Sequence, residues 1–196
     1  NVTKDIVLGQ FTNGTKAFVL GSTWSEDELL ISKSETFQKG QYKLIIAPHE
    51  INENHLQNME RLFEGKCIRY SQYSENSLAT ILLIDSIGKL ANAYSYGKIA
   101  YVGGGFSGNL HNILEPAVFA LPVIFGPKHS RFPEAETFIN AGVGFSVEES
   151  KEFDLAFSQI QSNYSDLSTK ISNLVQESAG ASERIMNFIE SQKFAN

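Results

Sequence analysis

The segment His111-Asn112-Ile113-Leu114-Glu115-Pro116 carries the residue types best suited to hold a small ligand. Asn112 and Glu115 are three positions apart, so on a helix they share one face. A carboxylate near a helix start can accept hydrogen bonds from both hydroxyls of a ribose, or it can simply complement the helix dipole. Just upstream lies Gly103-Gly104-Gly105-Phe106-Ser107-Gly108. Adjacent glycines allow backbone to approach a ligand closely, which makes Gly104 and Gly105 candidate contacts. Gly103, Gly105 and Gly108 also spell a dinucleotide fingerprint. That fingerprint belongs on the first strand–helix turn, with an acidic residue about 20 positions on. The stretch Leu121–Pro127 holds no Asp or Glu, which counts against a hydride-transfer enzyme.

Four further loops collect unusual residues. Gly21-Ser22-Thr23 stands between an apolar run and a helical stretch, where free amides can bind an anion, or where the hydroxyls can cap the helix. Pro48 ends an apolar run and aims His49 over its edge, where an imidazole can hydrogen-bond a phosphate or base. Asp85-Ser86-Ile87-Gly88 follows another such run; N-capping is the expected role of Asp85. Gly126-Pro127-Lys128-His129-Ser130-Arg131-Phe132 brings Lys128 and Arg131 to where a phosphate or sugar carboxylate would lie, or makes a solvated basic loop.

Positioning these loops requires strands that end where they begin. Apolar runs predict strands at Lys16–Gly21, Tyr42–Ala47, Cys67–Tyr70, Thr80–Ile84, Lys98–Val102, Pro122–Phe125 and Val143–Val147. Helical stretches alternate with them: Ser25–Lys39 ended by Gly40, Asn52–Glu64, Gly88–Tyr96, Leu110–Leu121 and Pro133–Ala141. The tail predicts helices at Glu152–Gln161, Asp166–Ser178 and Ser182–Lys193, with Gly180 separating the last two. Such alternation implies an α/β fold: one doubly wound, mainly parallel Rossmann-like sheet with helices on both faces. Ligands bind such sheets at the carboxyl ends of the strands, where these loops fall.

Composition fits one globular domain over residues 1–196, with 42% hydrophobic and 19% charged residues. The net charge of −6 and the lack of a basic stripe argue against nucleic-acid binding. A single cysteine, Cys67, makes neither a disulfide nor a zinc site and fits a reducing, cytoplasmic setting. No signal peptide or membrane span is expected, and no carboxylate cluster reads as a metal cage. No metal or other cofactor is expected.

Taken together, GSTWSEDE at Gly21–Glu28, IIAPHE at Ile45–Glu50, LIDSIGKLANAYSYGKIAYVGGGF at Leu83–Phe106, HNILEPAVFALPVIFGP at His111–Pro127 and AGVGFSV at Ala141–Val147 resemble the Kdo (3-deoxy-D-manno-octulosonic acid) transferase family. The segments occur in that family's order and spacing. The resemblance implies the C-terminal half of a GT-B fold, binding CMP-Kdo. The enzyme it implies transfers Kdo, with inversion, to a lipid A precursor at the cytoplasmic face of the bacterial inner membrane. It implies that Pro48, Ile87, Gly88, Asn112 and Glu115 contact the nucleotide, while Gly21, Ser22 and Thr23 face the phosphate or sugar. The family's arginine after the strand-ending proline is His49 here, which suggests a phosphate contact moved towards Lys128 or Arg131. The family's catalytic glutamate and membrane anchor lie in an N-terminal acceptor domain to which no segment here corresponds. This chain alone is therefore expected to be soluble, to bind nucleotide and to transfer nothing. Rival readings are a GT-B glycosyltransferase or epimerase using a UDP-sugar, and a non-catalytic nucleotide-binding module.

Overall fold

The computed structural model describes residues 4–39 and 42–193, with side chains described as far as Glu177. Gly40, expected to end a helix, lies outside the described residues. The elements run α1 (Ile6–Thr12), β1 (Ala17–Thr23), α2 (Ser25–Ser32), α3 (Glu35–Gln38), β2 (Leu44–Pro48), α4 (Glu53–Leu62) and β3 (Cys67–Arg69). They continue with β4 (Ile81–Leu83), α5 (Leu90–Tyr94), β5 (Gly97–Val102), α6 (Leu114–Ala117) and β6 (Val123–Phe125), then α7 (Pro133–Asn140), β7 (Gly144–Ser146) and α8 (Ser150–Lys193).

All seven strands join one sheet in the order β3-β4-β2-β1-β5-β6-β7, and every pairing is parallel. The chain starts in the middle at β1, winds outward through β2, then crosses back to lay β5, β6 and β7 on the other side. Direction therefore reverses between β1 and β5, and a crevice opens above their carboxyl ends.

Alternation along β1 sends side chains to both faces, as a sheet covered on two sides requires. Phe18 and Leu20 enter the larger core with Leu44, Ile46 and the helices α2, α4, α7 and α8. Ala17 and Val19 enter the smaller one with Leu8, Phe11, Ile45, Leu82 and Tyr94. Phe18, Phe37, Phe153 and Phe157 pack as an aromatic cluster, with ring centroids 5.1–6.4 Å apart. That cluster docks α8 onto the sheet.

Several elements depart from the sequence expectation. α1 has no counterpart among the expected helices; Asp5 caps it, accepting from Leu8 N at 3.1 Å. Ser25–Lys39 is two helices, broken at Lys33–Ser34 because Asp154 of α8 draws off the backbone there. It accepts from the Ser34 hydroxyl and from the Glu35 and Thr36 amides. The expected helix over Leu110–Leu121 is only the single turn α6. The Gly103–Gly105 loop binds the chain ahead of it, through His111 N to Gly103 O at 3.1 Å, and Ala120 turns left-handed behind it at φ 58°. In the tail, the expected break between Gln161 and Asp166 is present as a kink at Asn163, where two helices meet within α8; the break expected at Gly180 is not, and the helix runs through it. The Asn163 amide donates to Gln159 O at 2.9 Å, a local bond that bends helices.

Candidate functional site

The crevice is shaped by an irregularity at the end of β1. Gly21 pairs with Ala47 and Thr23 with Pro48, so Ser22 is an extra residue bulged out of the ladder. Its φ of 52° is left-handed, which costs a residue with a side chain about 1 kcal/mol or more. The bulge turns the Ser22 side chain into a cavity of about 210 Å³ above the ends of β1, β2 and β4. Ser22, Pro48, His49, Ile87 and Gly88 all line it, bringing together three loops widely separated in sequence. Ala47, Ile51, Ile84 and Leu90 give it apolar walls, and Ser86, also in the lining, has a buried Oγ with no hydrogen-bond partner. Ile87 is 90% exposed at the rim, a large apolar side chain left for a ligand to cover. Gly88 has φ 83°, which excludes most other residues at this turn.

A second cavity, about 410 Å³, shares Gly88 and Lys89 with the first. Lys89 Nζ lies 3.2 Å from Asp5 and 4.8 Å from the centre of the Tyr70 ring, so the cap of α1 and the residue after β3 both help to place it. A larger cavity, about 630 Å³, lies at the opposite edge among Phe18, Tyr42, Phe157 and Tyr164. It opens at the amino ends of β1 and β5, away from the switch point where such sheets bind ligands.

Gly21, just before the bulge, packs against α5. A side chain there would collide with the Tyr94 hydroxyl and Leu90. Burial, and then the charge of nearby Glu115, push Tyr94 well above the usual phenol range. Glu115 is exposed in the first turn of α6 and does not line the cavity. Asn112 is also exposed, but it precedes the helix rather than sharing a helical face with Glu115. Its Oδ1 accepts from Leu114 N at 2.9 Å and so caps α6.

The glycine loop is built by packing. Gly103, Gly104 and Gly105 are buried. A side chain on Gly103 would strike the backbone of Ser22 and Thr23, on Gly104 the backbone of Asn109, and on Gly105 that of Gly126. Gly103 and Gly105 bring this loop against the end of β1 and the loop after β6, while Gly104 closes it on itself. Thr23 is fully buried and its hydroxyl donates to Glu28 at 2.9 Å, so its side chain does not face the crevice. Lys128 and Arg131 are exposed and line neither cavity above the strand ends. Between them, His129 Nδ1 faces Glu136 at 3.0 Å. Asp85 does not cap a helix; it accepts from the Ser71 amide and hydroxyl.

The sequence reading missed the polar frame beneath the loops. Asp27 and Glu28, read there as dipole-matching residues of α2, are 1% and 2% exposed. Asp27 accepts from the Tyr101 hydroxyl at 2.6 Å, from Trp24 N at 2.9 Å and from Gly104 N at 3.1 Å, tying β5, α2 and the glycine loop together. Glu28 meets Thr23 and, at 3.0 Å, His55 Nε2 of α4. Burial pushes both carboxyls above the usual range, against the pull of these partners. Also missed was an aromatic group: Trp24 stacks on His49 at 4.3 Å, and His49 on His111 at 4.7 Å. Among the described residues, no three His, Cys, Asp or Glu side chains gather in a way that could hold a metal ion. None of the described helices is long and apolar enough to cross a membrane.

The class that this architecture defines is the C-terminal Rossmann-like domain of a GT-B fold. The C-terminal CMP-Kdo binding domain of WaaA from Acinetobacter baumannii superposes with a TM-score of 0.71 at 20% identity, covering 87% of this chain and 98% of that one. No protein-family model matches the chain. In sequence it is related to the 3-deoxy-D-manno-octulosonic acid transferases. The enzyme of that name from Aquifex aeolicus is 33% identical over 135 residues, 65% of this chain and 36% of that protein. The Chlamydia muridarum enzyme is 33% identical over 141 residues, 68% of this chain and 32% of that protein. A bifunctional glycosyltransferase/methyltransferase of Fusobacterium nucleatum is 35% identical over 156 residues, 74% of this chain and 24% of that protein. The chain thus spans between a quarter and about a third of the length of these relatives.

Proposed function

We propose that this domain binds CMP-Kdo and serves as the donor-binding part of an inverting Kdo transferase acting on a lipid A precursor. The observation that carries the proposal is the gathering of Ser22, Pro48, His49, Ile87 and Gly88 around one cavity above the carboxyl ends of β1, β2 and β4. In this reading the cytosine lies against Ile87 and Gly88, and the ribose hydroxyls reach Glu115. The phosphate sits above Ser22 and His49. An acceptor hydroxyl attacks the anomeric carbon of the sugar, the bond to the phosphate oxygen breaks, and CMP leaves. The proton of the hydroxyl goes to a base supplied by an acceptor domain. This half contributes binding and charge stabilisation of the leaving phosphate, with no metal ion. The acceptor, carried on lipid, places the reaction at the cytoplasmic face of the inner membrane.

Thermal-shift titration of the chain with CMP, UMP and UDP tests the nucleotide assignment. CMP should raise the melting temperature at lower concentration than UMP or UDP. A larger shift with UDP would make this a UDP-sugar enzyme, and no shift with any of them would remove the nucleotide reading.

A further inference from the structure

The contact between Trp24 and His111 fixes a tautomer. An indole Nε1–H can only donate, and it points at His111 Nε2 across 3.3 Å. His111 Nε2 must therefore offer a lone pair, which leaves the ring neutral with its proton on Nδ1. Burial, and then neighbouring His49, hold His111 below the ordinary histidine value, in the same direction. The third ring, His49, is the exposed member and lines the cavity. Its backbone amide donates to Thr23 O at 2.9 Å, which anchors it to the bulged end of β1. A positive charge on His49 would lie over the indole face of Trp24, a favourable cation–π arrangement.

The charged groups around this stack are largely committed elsewhere. From α2, Asp27 is taken by Tyr101 and two amides, and Glu28 is paired with His55 of α4. From the loop before α5, Lys89 is held by Asp5. Glu50 follows His49 in sequence, and Glu115 stands on α6. With His111 held neutral, His49 is the group of the stack able to gain a charge when an anion arrives.

We propose that Trp24, His49 and His111 form a proton-linked phosphate contact, in which His49 takes up one proton as the donor phosphate binds and the neutral His111 supports it. The inference rests on the nucleotide reading above and adds a property to it. If the bound state holds one more proton than the free state, affinity is highest at low pH and falls as pH rises through the histidine range. An arginine at position 49 would carry its charge at every such pH.

The test is calorimetric titration between about pH 5.5 and 8 with the methyl ester of CMP, beside cytidine. The ester keeps a single negative charge, whereas CMP itself titrates near pH 6 and would confuse the profile. Affinity for the ester should fall with rising pH, by up to about tenfold per unit, while cytidine stays flat. His49→Arg should bind the ester with no pH slope, and His49→Gln should bind weakly and flat. Nitrogen NMR of the free chain should find the His111 proton on Nδ1. A flat ester profile in the native chain, a cytidine profile with the same slope, a His49→Gln variant that keeps the slope, or a proton on His111 Nε2 would each overturn the contact. Failure of the ester to bind at any pH would overturn the nucleotide reading itself, and the contact with it.

Discussion

The hydroxyl of Tyr94 occupies the space that a side chain on Gly21 would need. This pairing fixes how closely β1 can approach α5. Gly21→Ala should lose about 1–3 kcal/mol by overpacking, measured by urea unfolding. Tyr94→Phe in the same chain should recover part of the loss. A Gly21→Ala chain as stable as the native one would show that the two residues are not in contact.

Asp154 joins α8 to the start of α3. Burial pushes its carboxyl up, but bonds from Ser34, Thr36 and Glu35 together hold it below the usual range. A carboxyl lowered by folding stabilises above its ordinary pKa, and that contribution disappears as pH falls through the lowered one. Asp154→Ala should cost about 1–2 kcal/mol at pH 7, and the gap from the native chain should shrink as the solution is acidified below the ordinary carboxylate value. A gap that is constant from neutral to strongly acidic pH would contradict the charge-assisted cap.

Ile87 is exposed and supports no core, so Ile87→Ser should change stability by less than about 0.5 kcal/mol. The account places the cytosine against it. Its loss should therefore weaken CMP binding severalfold in calorimetry while the unfolding midpoint stays put. Unchanged CMP affinity would move the base out of this cavity.

The architecture was legible because buried parallel strands are runs of apolar residues. Leu44–Ala47, Ile81–Ile84 and Val123–Phe125 are fully buried and stand out from their neighbours. The segment around α6 misled for a physical reason. Leu110, Ile113, Ala117 and Leu121 are all buried, so the sequence carries a helix-like period. The chain meets that period with a loop, one turn of helix and a left-handed residue, leaving Val118 68% exposed. The loops that line the cavity were legible, because residues such as Pro48 and Gly88 mark strand ends and left-handed turns. The Trp24–His49–His111 stack and the buried Asp27 were not. Each depends on partners 25 to 87 positions away, and no local pattern distinguishes a buried carboxylate from one at an exposed helix start.

The proposed function requires a cytidine nucleotide above the ends of β1, β2 and β4 with its ribose on Glu115. Calorimetric titration of CMP into the native chain and into Glu115→Ala tests it most directly. Glu115 is exposed, so the variant should fold with native stability. The native chain should bind CMP measurably, and the variant should lose at least about tenfold, as expected when hydrogen bonds to a charged group are removed. Equal affinity in the two chains would contradict it.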